Sequence, residues 1–253
     1  MTNEAWNLTG YDYVNGNFDK AILSVGSCET HGMHMPFGTD THVAYKLSCE
    51  IADKVDGLLA LPPITFGYSE HYGIAPFGVS IKCETLIEVL KDALTSILNY
   101  GIRHIFIMNG HDGNIAPIEV AAREIKVLHP EARIASLNDW WVAAGNILPD
   151  DTFEVWNGLG HAGEGETSMG LSLFGDLMQM EHADGVVPEL PANIDIKWNF
   201  AELTDCCATG DPTKGTKEKG DKMRKAVVDE VSRFMKEMDE CDWNYNSVRN
   251  GMK

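Results

Sequence analysis

Ala21-Ile22-Leu23-Ser24-Val25 runs straight into Gly26-Ser27-Cys28-Glu29-Thr30-His31-Gly32-Met33-His34, with Asp40 close behind. A second apolar run, Ile105-Phe106-Ile107-Met108, enters Asn109-Gly110-His111-Asp112-Gly113-Asn114 in the same way. Short apolar runs cut off by glycine and polar residues read as strands buried on both faces, the pattern of a parallel sheet. Such sheets keep their chemistry in the crevice beyond the carboxyl ends of the strands, so both breaks are expected seats of function. The side chains offered there are carboxylates and imidazoles. That set suits Zn, Mn or Fe(II), whereas a thiolate-rich set would point to a structural zinc. Read together, the two segments predict a dinuclear metal site.

Outward from these loops, strand and helix patterns alternate. A helix is expected from about Thr41, with Val43, Leu47, Ile51 and Val55 at helical spacing and Thr39 or Asp40 as candidate caps. The run Leu58 to Ile64 is split by Pro62-Pro63. Another helix follows over about Cys83 to Tyr100, with Leu86, Leu90, Leu94 and Ile97 inward and Gly101 as its stop. Strand Arg103 to Met108, helix Ile115 to Leu128 and strand Arg133 to Leu137 continue the series. Repeated strand–helix–strand units predict an α/β fold with a mostly parallel sheet and right-handed crossovers. From Asn138 to Gly160 the pattern becomes irregular and aromatic, with Trp140, Trp141, Phe153 and Trp156. Connections longer than about 12 to 15 residues usually work as lids or binding loops, so this one is expected to wall the substrate pocket. A short helix is read from near Glu166, little periodicity is visible over Glu181 to Gly220, and a last helix spans roughly Lys217 to Met238. With no repeat or linker, residues 1–253 read as a single domain.

The bulk properties narrow the partners. A formal charge of −18 argues against nucleic acid, since phosphate binding needs a basic face. No apolar run approaches the roughly 20 residues of a membrane span, and Met1-Thr2-Asn3-Glu4 lacks the regions of a signal peptide. A cytoplasmic location and a small-molecule substrate are expected. Six cysteines without Cys-x-x-Cys spacing read as reduced thiols.

Taken in order, four pieces resemble the motifs of the creatininase (creatinine amidohydrolase) family. They are Glu29-Thr30-His31, Asp40 nine residues after His31, Asn109-Gly110-His111, and His161-Ala162-Gly163-Glu164-Gly165-Glu166-Thr167-Ser168. The resemblance runs from about residue 20 to residue 175. It implies a three-layer α/β/α sandwich holding two divalent metal ions per chain (Zn, Mn or Fe), with Glu29 and His111 on one, His31 on the other and Asp40 bridging. It also implies a homo-oligomer, a hexamer. Creatininase itself has a glutamate two residues after the histidine of its Asn-Gly-His motif, where this chain has Gly113. The fifth ligand then falls to Glu166 or Glu164. Creatininase also has an acid just before the histidine of the last piece, where this chain has Gly160. Trp141 and Trp156 fall near the places of its pocket tryptophans, the latter offset by one residue. His71, in Gly67-Tyr68-Ser69-Glu70-His71-Tyr72, and Asp112 are further candidates to bind substrate. The family's Phe-Pro-Gly-Thr pattern is altered here to Pro76-Phe77-Gly78-Val79.

The chemistry so implied is hydrolysis of a cyclic or linear amide by metal-activated water, the cations acidifying water and polarising the carbonyl. His161 is the expected proton carrier, because an imidazole with a pKa of about 6.5 serves as base and acid near neutral pH; Glu164 is a second catalytic candidate. By resemblance the family also contains a formamide hydrolase of a pyrimidine intermediate, a peptidase trimming a redox-cofactor precursor, and a hydrolase opening a cyclic inositol-derived ketone. A non-catalytic metal-binding homologue is the reading from another class. A nucleotide-binding oxidoreductase would need a glycine fingerprint after a strand, and this chain has none.

Overall fold

The computed structural model describes residues 3–72, 76–191, 193–194 and 196–244. Its elements in chain order are α1 (Gly10–Asn15), β1 (Lys20–Val25), β2 (Cys28–Glu29), α2 (Thr39–Ala52), β3 (Leu58–Ala60), β4 (Gly78–Val79), α3 (Cys83–Asn99), β5 (His104–Asn109), α4 (Ile115–Leu128), β6 (Arg133–Leu137), α5 (Trp140–Ile147), α6 (Glu164–Phe174) and α7 (Lys217–Glu240). Short 3-10 turns join several of them. Every residue of β1 is buried, which requires cover on both faces and a neighbour on each edge. Both conditions are met. The main sheet has the order β3-β1-β5-β6 and all its pairs are parallel.

Alternation along the strands divides the core in two. Ile22, Phe106 and Met108 point to one face, where they pack with Val43, Leu47 and Ile51 of α2 and Val227, Val231 and Met235 of α7. Ala21, Leu23, Val25, Ile105 and Ile107 point to the other, against Leu86, Leu90 and Leu94 of α3 and Ile118, Ala121 and Ile125 of α4. The result is the expected three-layer α/β/α sandwich. Register then positions the chemistry: Val25 pairs with Asn109 at the carboxyl ends of β1 and β5, so the two motif loops leave the sheet side by side. A two-stranded antiparallel ribbon, β2 with β4, clamps the first loop, pairing Glu29 with Gly78.

Three expectations are corrected. Helix α2 starts at Thr39 with Gly38 as its N-cap, and the Asp40 side chain makes no cap; it turns toward the histidines instead. Helix α6 begins at Glu164 rather than near Glu166. Residues 138–160 are no single aperiodic lid, because α5 occupies Trp140–Ile147 and buries Trp140 and Ala144 on one face. At eight residues α5 spans about two turns, and Trp141, Val142 and Ala143 hide its period by being apolar too. Among the described residues, no helix is long and apolar enough to cross a membrane.

Trp140 is 1% exposed and belongs to the α2/α7 side of the core. Trp140→Ala is expected to cost about 3 to 5 kcal/mol in urea unfolding. A loss below about 1 kcal/mol, the range of a surface change, would put this residue in a mobile cover after all.

Candidate metal centre

Glu29, His31, Asp40, His111, His161 and Glu166 converge beyond the carboxyl ends of β1 and β5, and all but His161 are at least nine-tenths buried. Asp40 reaches both motif histidines, with Oδ1 2.8 Å from His31 Nε2 and Oδ2 3.2 Å from His111 Nδ1. Glu29 Oε1 lies 3.2 Å from His111 Nδ1 and 3.9 Å from His161 Nδ1, while Ser27 donates to its Oε2 at 2.9 Å. Glu166 Oε2 accepts from the Ala162 amide at 2.6 Å and stands 3.9 Å from His31 Nε2.

Each histidine has one nitrogen tied to a main-chain carbonyl. His31 Nδ1 meets Glu29 O at 3.2 Å, His111 Nε2 meets Tyr68 O at 3.0 Å, and His161 Nε2 meets Thr30 O at 2.7 Å. A carbonyl only accepts, so each of these nitrogens carries the proton. The other nitrogen of every ring is left for the cluster, which is how ligating histidines are oriented in metal sites.

Charge in the cluster is balanced by the imidazoles. Burial works against charging His31, but Asp40, with Glu166 and Glu29 behind it, lifts it to about 10. His111 is likewise held well above its ordinary range, burial being outweighed by Glu29 and Asp40. Those histidines in turn hold Glu29 and Asp40 below the usual carboxylate range despite burial. Burial pushes Glu166 up to about 7, with His31 only partly offsetting it. Burial and the neighbouring His31 charge press His161 down to about 3.

The donor set fits divalent cations. Glu29 Oε1 and Asp40 Oδ2 are buried and lack a hydrogen-bond partner among the described residues, a costly state for carboxylate oxygens. Two groups of ligand atoms, Glu29–His31–His161 and Glu29–Asp40–His111, each lie within 4.8 Å of one another.

Asparagines and threonines tie the loops together. Asn109 Nδ2 donates to His111 O and Asn138 O, and Asn114 joins Gly26 O to the Tyr68 amide. Thr209 holds His161 from both sides, its hydroxyl accepting from His161 N and its amide donating to His161 O. The cluster opens into a cavity of about 720 Å³ whose walls include Tyr68, His71, Tyr72, Asp112, Trp141, Trp198 and Phe200. His71, Asp112 and Trp141, the candidates to bind substrate, thus line the cavity into which the cluster opens.

Glu164 and Trp156 do not reach this cavity. The Glu164 carboxylate is fully buried elsewhere, 2.6 Å from Lys219 Nζ and accepting from the amides of Glu154 and Val155. Two residues along a helix is about 200°, so with Glu166 facing the cavity Glu164 faces away. Trp156 sits in a left-handed turn (φ 47°), is 37% exposed, and borders a separate depression with Val187, Pro188 and Leu190. Tyr72, Trp198, Phe200 and Thr209 are the site residues the sequence reading missed. Tyr72 adjoins His71, and Trp198-Asn199-Phe200 is an aromatic pair inside an otherwise aperiodic stretch, so both carried a faint signal.

The glycines at the two departures from creatininase have structural causes. A Cβ at 113 would overlap the Tyr68 carbonyl oxygen and lie 2.6 Å from His111 Nε2, across the hydrogen bond that orients His111. Gly160 has φ +114°, and a side chain there would strike the Thr209 carbonyl.

A cluster of buried imidazoles and carboxylates at the carboxyl edge of a parallel sheet, inside an α/β/α sandwich, is the frame of a metal-dependent hydrolase. The sequence profile of creatininase (creatinine amidohydrolase) matches residues 9–235, and the chain belongs to that family. It is 32% identical over 180 residues to 3-dehydro-scyllo-inosose hydrolase of Thermotoga maritima, covering 68% of this chain and 55% of that protein's length. It is 30% identical over 227 residues to the mycofactocin precursor peptide peptidase of Mycobacterium ulcerans, covering 84% and 83%. With creatinine amidohydrolase of Pseudomonas putida it shares 28% identity over 185 residues, 68% and 69% of the two chains. A solved creatininase in a manganese form superposes with a TM-score of 0.78 at 22% identity, over 94% of this chain and 98% of that one.

Two substitutions separate ligand sites from scaffold. Gly113→Glu is expected to lower metal content, because the side chain displaces the Tyr68–His111 contact before it can ligate. A rise in metal content would show that the loop can yield. Glu164→Ala is expected to cost on the order of 3 kcal/mol, with the metal content of the folded protein unchanged. Lys219 loses its buried partner and keeps only Glu154 and the Lys214 carbonyl, while the Glu154 and Val155 amides lose their acceptor.

Proposed function

We propose that this chain is a dinuclear metal-dependent amidohydrolase that cleaves a cyclic or linear amide C–N bond of a small molecule. The observation that carries the reading is the carbonyl-pinned set of His31, His111 and His161, whose remaining nitrogens face Glu29, Asp40 and Glu166. Asp40, whose two oxygens divide between His31 and His111, would be the carboxylate shared by the two cations. Glu29 and His111 would hold one cation, and His31 with Glu166 the other. Zn, Mn or Fe(II) suits such a set.

When bound, the cations supply Lewis acidity that acidifies water and polarises a carbonyl. The protein does the rest. His161 holds a proton at Nε2 against Thr30 O, and burial with the charged His31 beside it keeps the ring neutral. Its Nδ1 lone pair therefore faces the cluster as a hydrogen-bond acceptor or ligand, a weak base there and not the proton carrier expected from the sequence. Trp141, Trp198 and Phe200 wall the cavity and limit bulk water, while His71 and Asp112 line it from the β5 side.

Its relatives act by name on a cyclic inosose, a peptide and creatinine. Ligand cavities of about 300 to 1,000 Å³ hold drug-sized molecules, so 720 Å³ accommodates a substrate larger than creatinine. Gly113 and Gly160 also weigh against creatinine itself. We read residues 1–253 as one such domain, acting in a reducing compartment consistent with six free cysteines. Exposed Val186, Val187, Leu190, Ile194 and Ile196 support a homo-oligomer, a hexamer by family resemblance.

Protein purified without chelator is expected to carry two equivalents of divalent metal per chain. Asp40→Ala should lose most of both, and Glu166→Gln should lose more than Glu164→Gln. Creatinine, formamides, short peptides and cyclic polyol ketones, screened with Mn, Zn and Fe(II), would find the substrate. A single equivalent that survives Asp40→Ala would sink the bridging role. Full metal with no turnover of any of these classes would favour a non-catalytic binding protein.

A further inference from the structure

The Tyr72 ring lines the cavity beside the histidine cluster. Its centroid lies 4.7 Å from that of His161, 5.7 Å from His111, 4.4 Å from His71 and 4.5 Å from Phe200. His111 belongs to one proposed cation position, and His161 packs 4.2 Å from His31 of the other, so one side chain lies close to both. Asp40, His111, His161 and Glu166 line the same cavity, so a molecule bound there meets Tyr72 and the cluster together.

Packing alone does not account for the hydroxyl. Phenylalanine would fill the space between His71, His161 and Phe200 equally well. Tyr72 is half-buried at the cavity wall and its hydroxyl makes no hydrogen bond to any described residue, so the O–H is open to a partner inside the cavity. The ring is also held on several sides, by His71, His161 and Phe200 directly, so the donor is fixed before anything binds. Donors that need no reorganisation are the ones that stabilise developing negative charge most effectively.

Resting on the hydrolase reading above, we propose that Tyr72 is a catalytic residue whose phenol O–H donates a hydrogen bond to the carbonyl oxygen of the bound amide. The phenol keeps its proton and forms no covalent bond. The role selects substrates that turn an acceptor oxygen toward the His71–Phe200 side while the scissile carbon faces Asp40 and His111.

The test compares wild type and Tyr72→Phe, both loaded with cobalt(II), and uses acetohydroxamate as the probe because it presents a carbonyl oxygen beside a chelating one. Cobalt content, melting temperature and acetohydroxamate affinity, read from the visible spectrum, are measured together. The variant is expected to take up the same cobalt, melt at the same temperature and bind the probe about two- to tenfold more weakly, the worth of one hydrogen bond. Equal affinity of the two loaded proteins overturns the proposal, as does a loaded wild type that does not bind acetohydroxamate. A lower melting temperature with unchanged affinity marks a packing role and overturns it too. Failure of the metal reading is distinct: wild type then takes up no cobalt, and both proposals fall.

Discussion

Holding Glu29, Asp40 and Glu166 together out of water is the constraint around which the rest of this molecule is arranged. Isolated buried carboxylates are prohibitive, and even paired ones remain expensive unless every lone pair is met. The protein meets the cost in layers. Ser27 and the Ala162 amide each take one oxygen, and His31, His111 and His161 face the others. Carbonyls of Glu29, Thr30 and Tyr68 then fix the histidines, so the carboxylates see the same nitrogen of each ring. Remove one tie and a like-charged pair is left facing itself.

The parallel sheet makes that arrangement affordable. Because Val25 and Asn109 are neighbours in register, Glu29 and His111 need only short loops to meet, and the close pairing of β1 with β5 leaves those loops little freedom. His161 and Glu166 come from far away in sequence and need other ties. The Gly32 amide donates to the Cys207 carbonyl, Thr209 grips His161, and Glu164 anchors the start of α6 to Lys219 on α7. The aperiodic region before α7 is thus a strut: it joins the first metal loop to the third without a regular element of its own.

Much of this was legible in the sequence, and the rest failed for identifiable reasons. Strand ends followed by ligand-rich loops gave the sheet and the positions of Glu29, His31, Asp40 and His111, since those features are local and periodic. Glu164 was misjudged because two acids in one motif were weighed by type alone; their 200° separation on a helix, about half a turn, was available and decides which faces inward. Trp156 was misjudged because its direction depends on a left-handed turn at residues 156–158, and nothing in a tryptophan–asparagine–glycine triplet states where the ring will point. Tyr72 and Trp198 gather at the site only through tertiary contacts, which no window of sequence displays.

Gly113 and Gly160 carry the argument about substrate furthest. Each stands where creatininase has an acid, and in each case the backbone of a neighbouring loop occupies the space: Tyr68 O against residue 113, Thr209 O against residue 160. The acids are therefore not merely missing, because the loops have closed over their places. Closing the first loop gives His111 a carbonyl partner, and closing the second gives His161 its grip from Thr209. The acidic side of the cluster lies with Glu29, Asp40 and Glu166, and the cavity walls around it mix aromatic rings, Tyr72, Phe200 and Trp198, with the side chains of Asp112 and Lys197. The loops beside the cluster are thus reshaped around Gly113 and Gly160, while Glu29, Asp40, His31 and His111 keep their mutual contacts.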